Sequence, residues 1–374
     1  MKIGIVTLHR VRNYGSVLQA YALVRLLREE GQNVEIIDYI PERFRLRSDL
    51  FFVRKDRYTD KNGRKNLIKK IVFTCASIIP RYYYYTRFSG FVKKQIPLSK
   101  KSYYSNEELR KEKFDYDIVM NGSDQVWNMA WEKDVDLAFF LDFVDITTPK
   151  MAYAASFGKN ELTQHEKEVM GPLLRKYNLI TMREDSGVEL LRDLGISNGR
   201  HVLDPTLVLD RRTWIELAGD RTIKDRYIAI YQLNYNTKAL EYARKIADIK
   251  RLKVVDLSRK IKKSSAVDIN FPFVKPEMFL NVLAYADYVV TDSFHGTAFS
   301  INFNSQFISI RNNFPERVGS LVRLVGLENR FVPMNEQLDI DNALSVIEYE
   351  DVNRILDIER NKARKIIKEI TKKA

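Results

Sequence analysis

At 374 residues the chain is longer than the roughly 250–300 that one hydrophobic core ordinarily serves, so two domains are expected. Hydrophobic residues make up 45% and charged ones 30%, a soluble globular composition, and no apolar run approaches the roughly 18 residues of a membrane-spanning helix. The formal net charge of +13 sits in one place: residues 43–113 hold 20 Lys/Arg against 6 Asp/Glu, a local +14, so the remainder of the chain sums to −1.

Residues 2–8 read as a buried parallel strand, too short an apolar run for a secretory leader. Asn13-Tyr-Gly-Ser16 is the turn after it, and a helix is predicted from about residue 16 to 30, with Val17, Ala20, Tyr21, Val24 and Leu27 on one face and Gly31 as its stop. Residues 33–38 supply the second strand of a βαβ unit. The basic segment of about 43–113 then interrupts the alternation. It mixes its cations with Phe51, Phe52, the tyrosines 82–85, Phe88, Phe91, Tyr103 and Tyr104, a composition suited to peripheral contact with an anionic membrane surface. A solvated basic face is the alternative. Nucleic acid is disfavoured, because zinc-finger spacing, an RNA-recognition signature and a strongly basic recognition helix are all missing. The lone cysteine, Cys75, lies in this segment; it excludes an internal disulfide and a cysteine-built metal cage, and makes the cytoplasm the expected compartment.

Strands resume at 116–120, 151–155 and 179–182, and a helix over 184–194 is closed by Gly195. His201-Val-Leu-Asp-Pro205 leads to a boundary that divides an N-terminal domain, 1–207, from a C-terminal domain, 208–374. The second series has strands at 227–231, 253–257, 288–291 and 306–310, with helices near 237–249, 276–285 and 295–303. Residues 351–373 form a terminal amphipathic helix with Val352, Ile355, Ile366 and Ile370 available for packing. The expected fold class is therefore α/β: two Rossmann-like domains whose parallel sheets face a central cleft.

The polar clusters at the strand ends are the candidate site. After the strand at 288–291, Ser293-Phe-His-Gly-Thr297 starts an apolar helix, and a helix start with unpaired N–H groups favours an anion. His295 then faces the ligand and Gly296 permits close approach, although a core histidine bonded to a carbonyl is the plain alternative. Asn13, Gly15 and Ser16 suit a phosphate or sugar, or merely shape a turn. Asn121-Gly-Ser-Asp-Gln-Val-Trp-Asn128 is denser: Ser123, Gln125 and Asn128 offer hydroxyl and amide partners, Trp127 an aromatic face, and Asp124 a general base for a sugar hydroxyl, with a capped turn that puts Trp127 in the core as the alternative. Arg183 stands where a strand meets a helix and can fork onto carboxylate or phosphate, or pair with Glu184 or Asp185. Asp204-Pro-Thr206, at the domain junction, reads equally as a structural turn and as a binding element. No dinucleotide fingerprint, P-loop or nucleophile elbow is present, and His9, His165, His201 and His295 lack metal-ligand spacing, so no metal is expected.

Together Asn13-Tyr-Gly-Ser16, Gly122-Ser-Asp-Gln-Val-Trp-Asn128, Tyr153-Ala-Ala-Ser-Phe-Gly158, Arg183-Glu184, Asp204-Pro-Thr206 and Ser293-Phe-His-Gly296 resemble the polysaccharide pyruvyl transferase family in order and spacing. The resemblance implies a GT-B-like architecture and transfer of a pyruvyl group from phosphoenolpyruvate, a donor substrate and not a cofactor, to a sugar or lipid-linked glycan acceptor, forming a cyclic ketal. It implies that Arg183 binds the donor and that His295 is donor ligand and general acid, with Ser293, Gly296 and Thr297 around it. Many members have Arg-x-His where this chain has Ser293-Phe294-His295; Arg311, after the next strand, is the expected substitute cation. Glycosyl transfer from a nucleotide sugar and non-catalytic glycan binding are the competing functions.

Overall fold

The computed structural model describes residues 1–53, 58–59, 65–129, 135–257, 264–311, 315–334 and 337–372. Arg54, Lys55, Arg57, Lys61 and Arg64 of the basic segment, and Lys373 of the expected terminal helix, lie outside the described residues. Among the described residues seven strands form the first sheet: β1 (Lys2–Val6), β2 (Asn33–Tyr39), β3 (Leu98–Tyr103), β4 (Ile118–Asn121), β5 (Lys150–Ala155), β6 (Leu179–Met182) and β7 (Arg200–His201). Six form the second: β8 (Tyr227–Tyr231), β9 (Lys253–Asp256), β10 (Ile269–Asn270), β11 (Tyr288–Thr291), β12 (Gln306–Ile310) and β13 (Phe331–Val332). Among the described residues every pairing between these strands is parallel, as in β1 with β4, where Ile3 faces Ile118 and Ile5 faces Met120. Strands buried on both faces read as continuous Val/Ile runs, which is why the central ones stand out in the sequence. The strand orders are β3-β2-β1-β4-β5-β6-β7 and β10-β9-β8-β11-β12-β13. Each order reverses beside its first strand, and the crevice beyond the carboxyl ends there is where an open α/β sheet takes its ligand.

The chain joins the two halves through one continuous apolar core. Ile3, Ile5 and Leu23 of the first sheet unit share it with Tyr227, Phe279 and Phe299 of the second. Tyr14 stacks on Phe279 across the junction, with ring centroids 4.2 Å apart. The terminal helix, Tyr349–Ile370, runs back over this seam, and Arg360 Nε donates to the Leu207 carbonyl at 2.9 Å.

Two features of the basic segment depart from expectation. It contributes β3, an edge strand, and a long helix, Leu67–Gln95, neither of which the sequence pattern predicted. The second half of that helix buries Tyr84, Phe88, Phe91 and Val92, whose spacing follows one helical face. Its first half leaves Leu67, Ile68, Ile71, Val72 and Ile79 exposed. Among the described residues no helix is long and apolar enough to cross a membrane.

Candidate active site

The loops leaving β1, β4 and β11 meet at the switch points of the two sheets. Ser293 caps the helix Phe294–Asn302, its hydroxyl accepting from the Gly296 amide at 3.4 Å, and the first turn presents His295. Glycine is required at 296 because a Cβ there would lie 2.2 Å from Thr291 Oγ1. From the other domain, Asn13 caps the helix Tyr14–Glu29 by accepting from the Gly15 amide at 2.9 Å. Gly15 itself lies against the His295 ring, where a Cβ would stand 2.0 Å from Nδ1. The next residue, Ser16, donates to Asp124 Oδ2 at 2.5 Å.

Asp124 follows β4 with φ of 80°, a left-handed conformation sparse outside glycine and frequent at functional sites. Arg183, at the end of β6, anchors the cluster. Its Nε donates to Glu184 Oε1 at 2.9 Å, and its Nη1 lies 3.4 Å from Asp204 Oδ2 and 3.6 Å from Asp124 Oδ1. Its guanidinium is 4.4 Å from the centre of the Phe294 ring, so a cation of the first domain rests on an aromatic of the second. Asp204 also accepts from Ser123 Oγ at 2.7 Å and Thr206 Oγ1 at 2.6 Å, and lies 3.7 Å from His295 Nε2.

Burial alone would raise the Asp204 carboxyl; His295 and Arg183 outweigh it and hold the group well below the usual carboxylate range. Burial likewise opposes the charge of Arg183, but Glu184, Asp124 and Asp204 secure its proton above the ordinary arginine value. Two polar atoms remain unmatched. Arg183 Nη2 and His295 Nε2 are buried and have no hydrogen-bond partner among the described residues. An unsatisfied buried polar group costs about 1–3 kcal/mol, so two in one cluster mark positions that a ligand's oxygens would satisfy.

The structure thus brings together Gly15, Ser16, Ser123, Asp124, Arg183, Ser293, His295 and Gly296, and sets others apart. Trp127 is placed differently from the sugar-facing aromatic expected: it is 1% exposed, donates from Nε1 to the Phe139 carbonyl at 3.1 Å, and is enclosed by Phe140, Phe157 and Tyr177. Its stacking faces are taken up by the core. Thr297 is fully buried, its hydroxyl spent on the Ser293 carbonyl and on Ser309 Oγ. Gln125 and Asn128 bond each other at 2.7 Å over Gly158, where a Cβ would meet both. Arg311 is exposed, its guanidinium 5.1 Å from the Phe331 ring centre beside a separate hollow that includes Glu316 and Glu328.

Arg317 stands nearer the cluster. It lies in the first turn of the helix Pro315–Leu324, and its pKa is lowered first by burial and then by repulsion from Arg183, with Glu184 and Asp124 acting the other way. Sequence reasoning missed it; Pro315, a helix-opening residue, was the only local signal. Asp204 was legible as part of a turn or binding element at the domain junction but not as the shared partner of Ser123, Arg183 and His295.

A model of the family described as polysaccharide pyruvyl transferase matches residues 13–313. No match is found among curated proteins. Among solved structures the chain is similar to UDP-GlcNAc 2-epimerase from Neisseria meningitidis bound to UDP-GlcNAc, with 11% identity, 100% of both chains covered and a TM-score of 0.52. It is also similar to AviGT4, a glycosyltransferase involved in avilamycin A biosynthesis, with 11% identity, 100% and 99% covered and a TM-score of 0.51. UDP-N-acetylglucosamine 2-epimerase from Rickettsia bellii gives 11% identity, 99% and 95% covered and a TM-score of 0.50. At that identity the likeness carries the two-domain GT-B-like fold and says nothing of the ligand.

Proposed function

The chain belongs to the polysaccharide pyruvyl transferase family, and from that premise we propose that it transfers a pyruvyl group from phosphoenolpyruvate to a sugar of a polysaccharide or glycan precursor, forming a cyclic ketal. The observation that carries this reading is the pair of unmatched buried nitrogens, Arg183 Nη2 and His295 Nε2, contributed by opposite domains to one cluster. Arginine supplies the fork that phosphate and carboxylate oxygens fit, and an imidazole is the side chain best placed to move a proton near neutral pH.

In this mechanism His295 gives a proton to the methylene carbon of the donor, which makes the central carbon electrophilic. A sugar hydroxyl adds there and loses its proton to Asp124, which Ser16 orients. A second hydroxyl then adds as the bond from the central carbon to the phosphate oxygen breaks. Of the two hydroxyl protons, one replaces that spent on the methyl group and the other leaves with phosphate. Asp204 supplies the counterion of the protonated ring. Arg183, with Arg317 in the part that the expected Arg-x-His arginine would play, stabilises the charge developing on the phosphate. The reaction as written calls for no metal. The exposed apolar half of the helix Leu67–Gln95, beside Lys69 and Lys70, suits peripheral contact with an anionic membrane carrying the acceptor.

Calorimetric titration of phosphoenolpyruvate tests the reading. Saturable binding by the wild type, weakened tenfold or more, about 1.4 kcal/mol, by His295→Ala and by Arg183→Ala, is expected. Failure to bind phosphoenolpyruvate with or without candidate sugars, together with binding of a nucleotide sugar, would reject it in favour of glycosyl transfer.

A further inference from the structure

Arg183 rests two of its three guanidinium nitrogens on carboxylates of its own domain. Nε donates to Glu184 Oε1 at 2.9 Å, an ordinary hydrogen bond. Nη1 is held more loosely, 3.4 Å from Asp204 Oδ2 and 3.6 Å from Asp124 Oδ1. One firm contact and two long ones fix an edge of the group and leave its plane free to tilt. The remaining arm, Nη2, is buried and unmatched. A buried donor without a partner is costly, so with three carboxylates around it an untethered guanidinium would turn that arm toward one of them.

Phe294 opposes this tilt from the second domain. The guanidinium lies over its ring, 4.4 Å from the centre, within cation–π range. A planar cation stacked on an aromatic face is held in the one direction that its edge contacts leave open. The ring is itself fixed. It is 6% exposed and belongs to the core shared by both halves. Ser293 before it caps the helix Phe294–Asn302, and Gly296 two residues on lies so close to Thr291 that a Cβ would not fit, so the first helical turn is pressed against the end of β11. The His295 ring stands at 89° to that of Phe294, with centroids 5.1 Å apart. One aromatic side chain therefore touches both groups whose nitrogens are unmatched.

We propose that Phe294 is a positioning residue for oxyanion binding: from the second domain it holds the plane of Arg183 so that Nη2 stays off the surrounding carboxylates and open to the oxygens of a ligand. The identity of that ligand as phosphoenolpyruvate rests on the pyruvyl-transfer reading, whereas the alignment of the arginine does not.

The full-length protein is titrated with phosphoenolpyruvate and with inorganic phosphate as wild type, Phe294→Leu, Phe294→Tyr, Arg183→Lys and the double variant Phe294→Leu with Arg183→Lys. Leucine keeps an apolar side chain without the ring, tyrosine restores the aromatic face, and lysine keeps the charge without the planar fork. Phe294→Leu is expected to weaken binding about tenfold, and Phe294→Tyr to restore it to within about twofold of the wild type. In the Arg183→Lys background, Phe294→Leu adds less than about twofold, because no plane remains to be held; a ring that served packing alone would cost the same in both backgrounds. Thermal melting without ligand checks that each variant is folded, and Phe294→Met replaces Phe294→Leu if the leucine variant melts early. Equal affinity of Phe294→Leu and wild type, or equal losses in the two backgrounds, overturns the proposal. Phosphoenolpyruvate binding that is indifferent to the ring rejects the positioning role and leaves pyruvyl transfer standing. Phosphate binding that follows the ring, in a protein without affinity for phosphoenolpyruvate, rejects pyruvyl transfer and keeps the positioning role. Binding of neither ligand by the wild type rejects both.

Discussion

Gly15 belongs to a helix, where alanine would be favoured by about 1 kcal/mol, yet the position faces an imidazole from the other domain. A Cβ at 2.0 Å from His295 Nδ1 and 2.2 Å from Cγ cannot coexist with the ring where it stands. Gly15→Ala is therefore expected to keep the fold and move the histidine. Under the proposed pyruvyl transfer, in which His295 is the acid, misplacing the ring by about an ångström costs on the order of 100-fold in rate, so single-turnover measurement with phosphoenolpyruvate should show a loss of that size with little change in melting temperature; an unchanged rate would remove the ring's position from that proposed mechanism. A second buried carboxylate acts on stability. Asp38 accepts from His9 Nε2 at 2.8 Å, from Arg10 Nε at 2.7 Å and from Ser102 Oγ at 2.5 Å. Burial alone would raise its carboxyl, but His9 and Arg10 outweigh that and hold it well below the usual range. A depressed folded value means that the unfolded chain takes up the proton first on acidification. The contribution is thus complete above the unfolded value of about 4 and is lost as pH falls toward the folded one. Melting temperature should fall between about pH 5 and pH 3 more steeply for the wild type than for Asp38→Asn; parallel curves would contradict the assignment.

Among the elements, Tyr14 tests whether the seam between the sheets is a true core. Its ring stacks on Phe279 with an interplanar angle of 6°, lies 5.1 Å from Phe88, and its hydroxyl donates to the Val274 carbonyl at 3.1 Å. Loss of the ring in Tyr14→Ala should cost about 3–5 kcal/mol, and loss of the hydroxyl alone in Tyr14→Phe about 1 kcal/mol, as read from denaturant unfolding. A small cost for Tyr14→Ala would mean that the domains merely touch. How much of this was legible follows from which elements bury both faces. β1, β8 and β11 are apolar runs and declare themselves. β3, Leu-Ser-Lys-Lys-Ser-Tyr, is an edge strand with two exposed lysines, and nothing in its pattern separates it from a loop. The helix Leu67–Gln95 was hidden because Pro80, ordinarily a helix breaker, lies inside it and its first half exposes the apolar residues that a core-facing helix would bury. Within the site, residues on the strand-end turns were legible, since the topology forces those turns together. Arg317 was not, because its approach to Arg183 depends on the phase of a helix that the sequence places only by its opening proline. Trp127 was ambiguous in the sequence because the same indole suits a sugar or a core, and only the surrounding rings decide between them.

At the scale of the whole molecule, the terminal helix decides whether the two sheets unfold separately. It leaves the second unit and crosses the first: Arg200 pairs with Glu369 at 2.6 Å and Arg364 with Glu29 at 3.2 Å. These pairs are largely exposed, and each is worth about 0–1 kcal/mol. The attachment is apolar instead, since Leu356, Ile367 and Ile370 are at most 1% exposed and belong to the core shared by both halves. A large hydrophobic interface of this kind removes the independence that linked domains otherwise have. Glu369→Ala should therefore cost less than about 1 kcal/mol, whereas Ile367→Ala should cost about 2–5 kcal/mol. The full chain should also melt in one calorimetric transition whose measured and van't Hoff enthalpies agree. Two transitions, with Ile367→Ala moving only one of them, would show that the sheets are separate units, and the cluster that Arg183 and His295 build between them would then depend on a docking equilibrium.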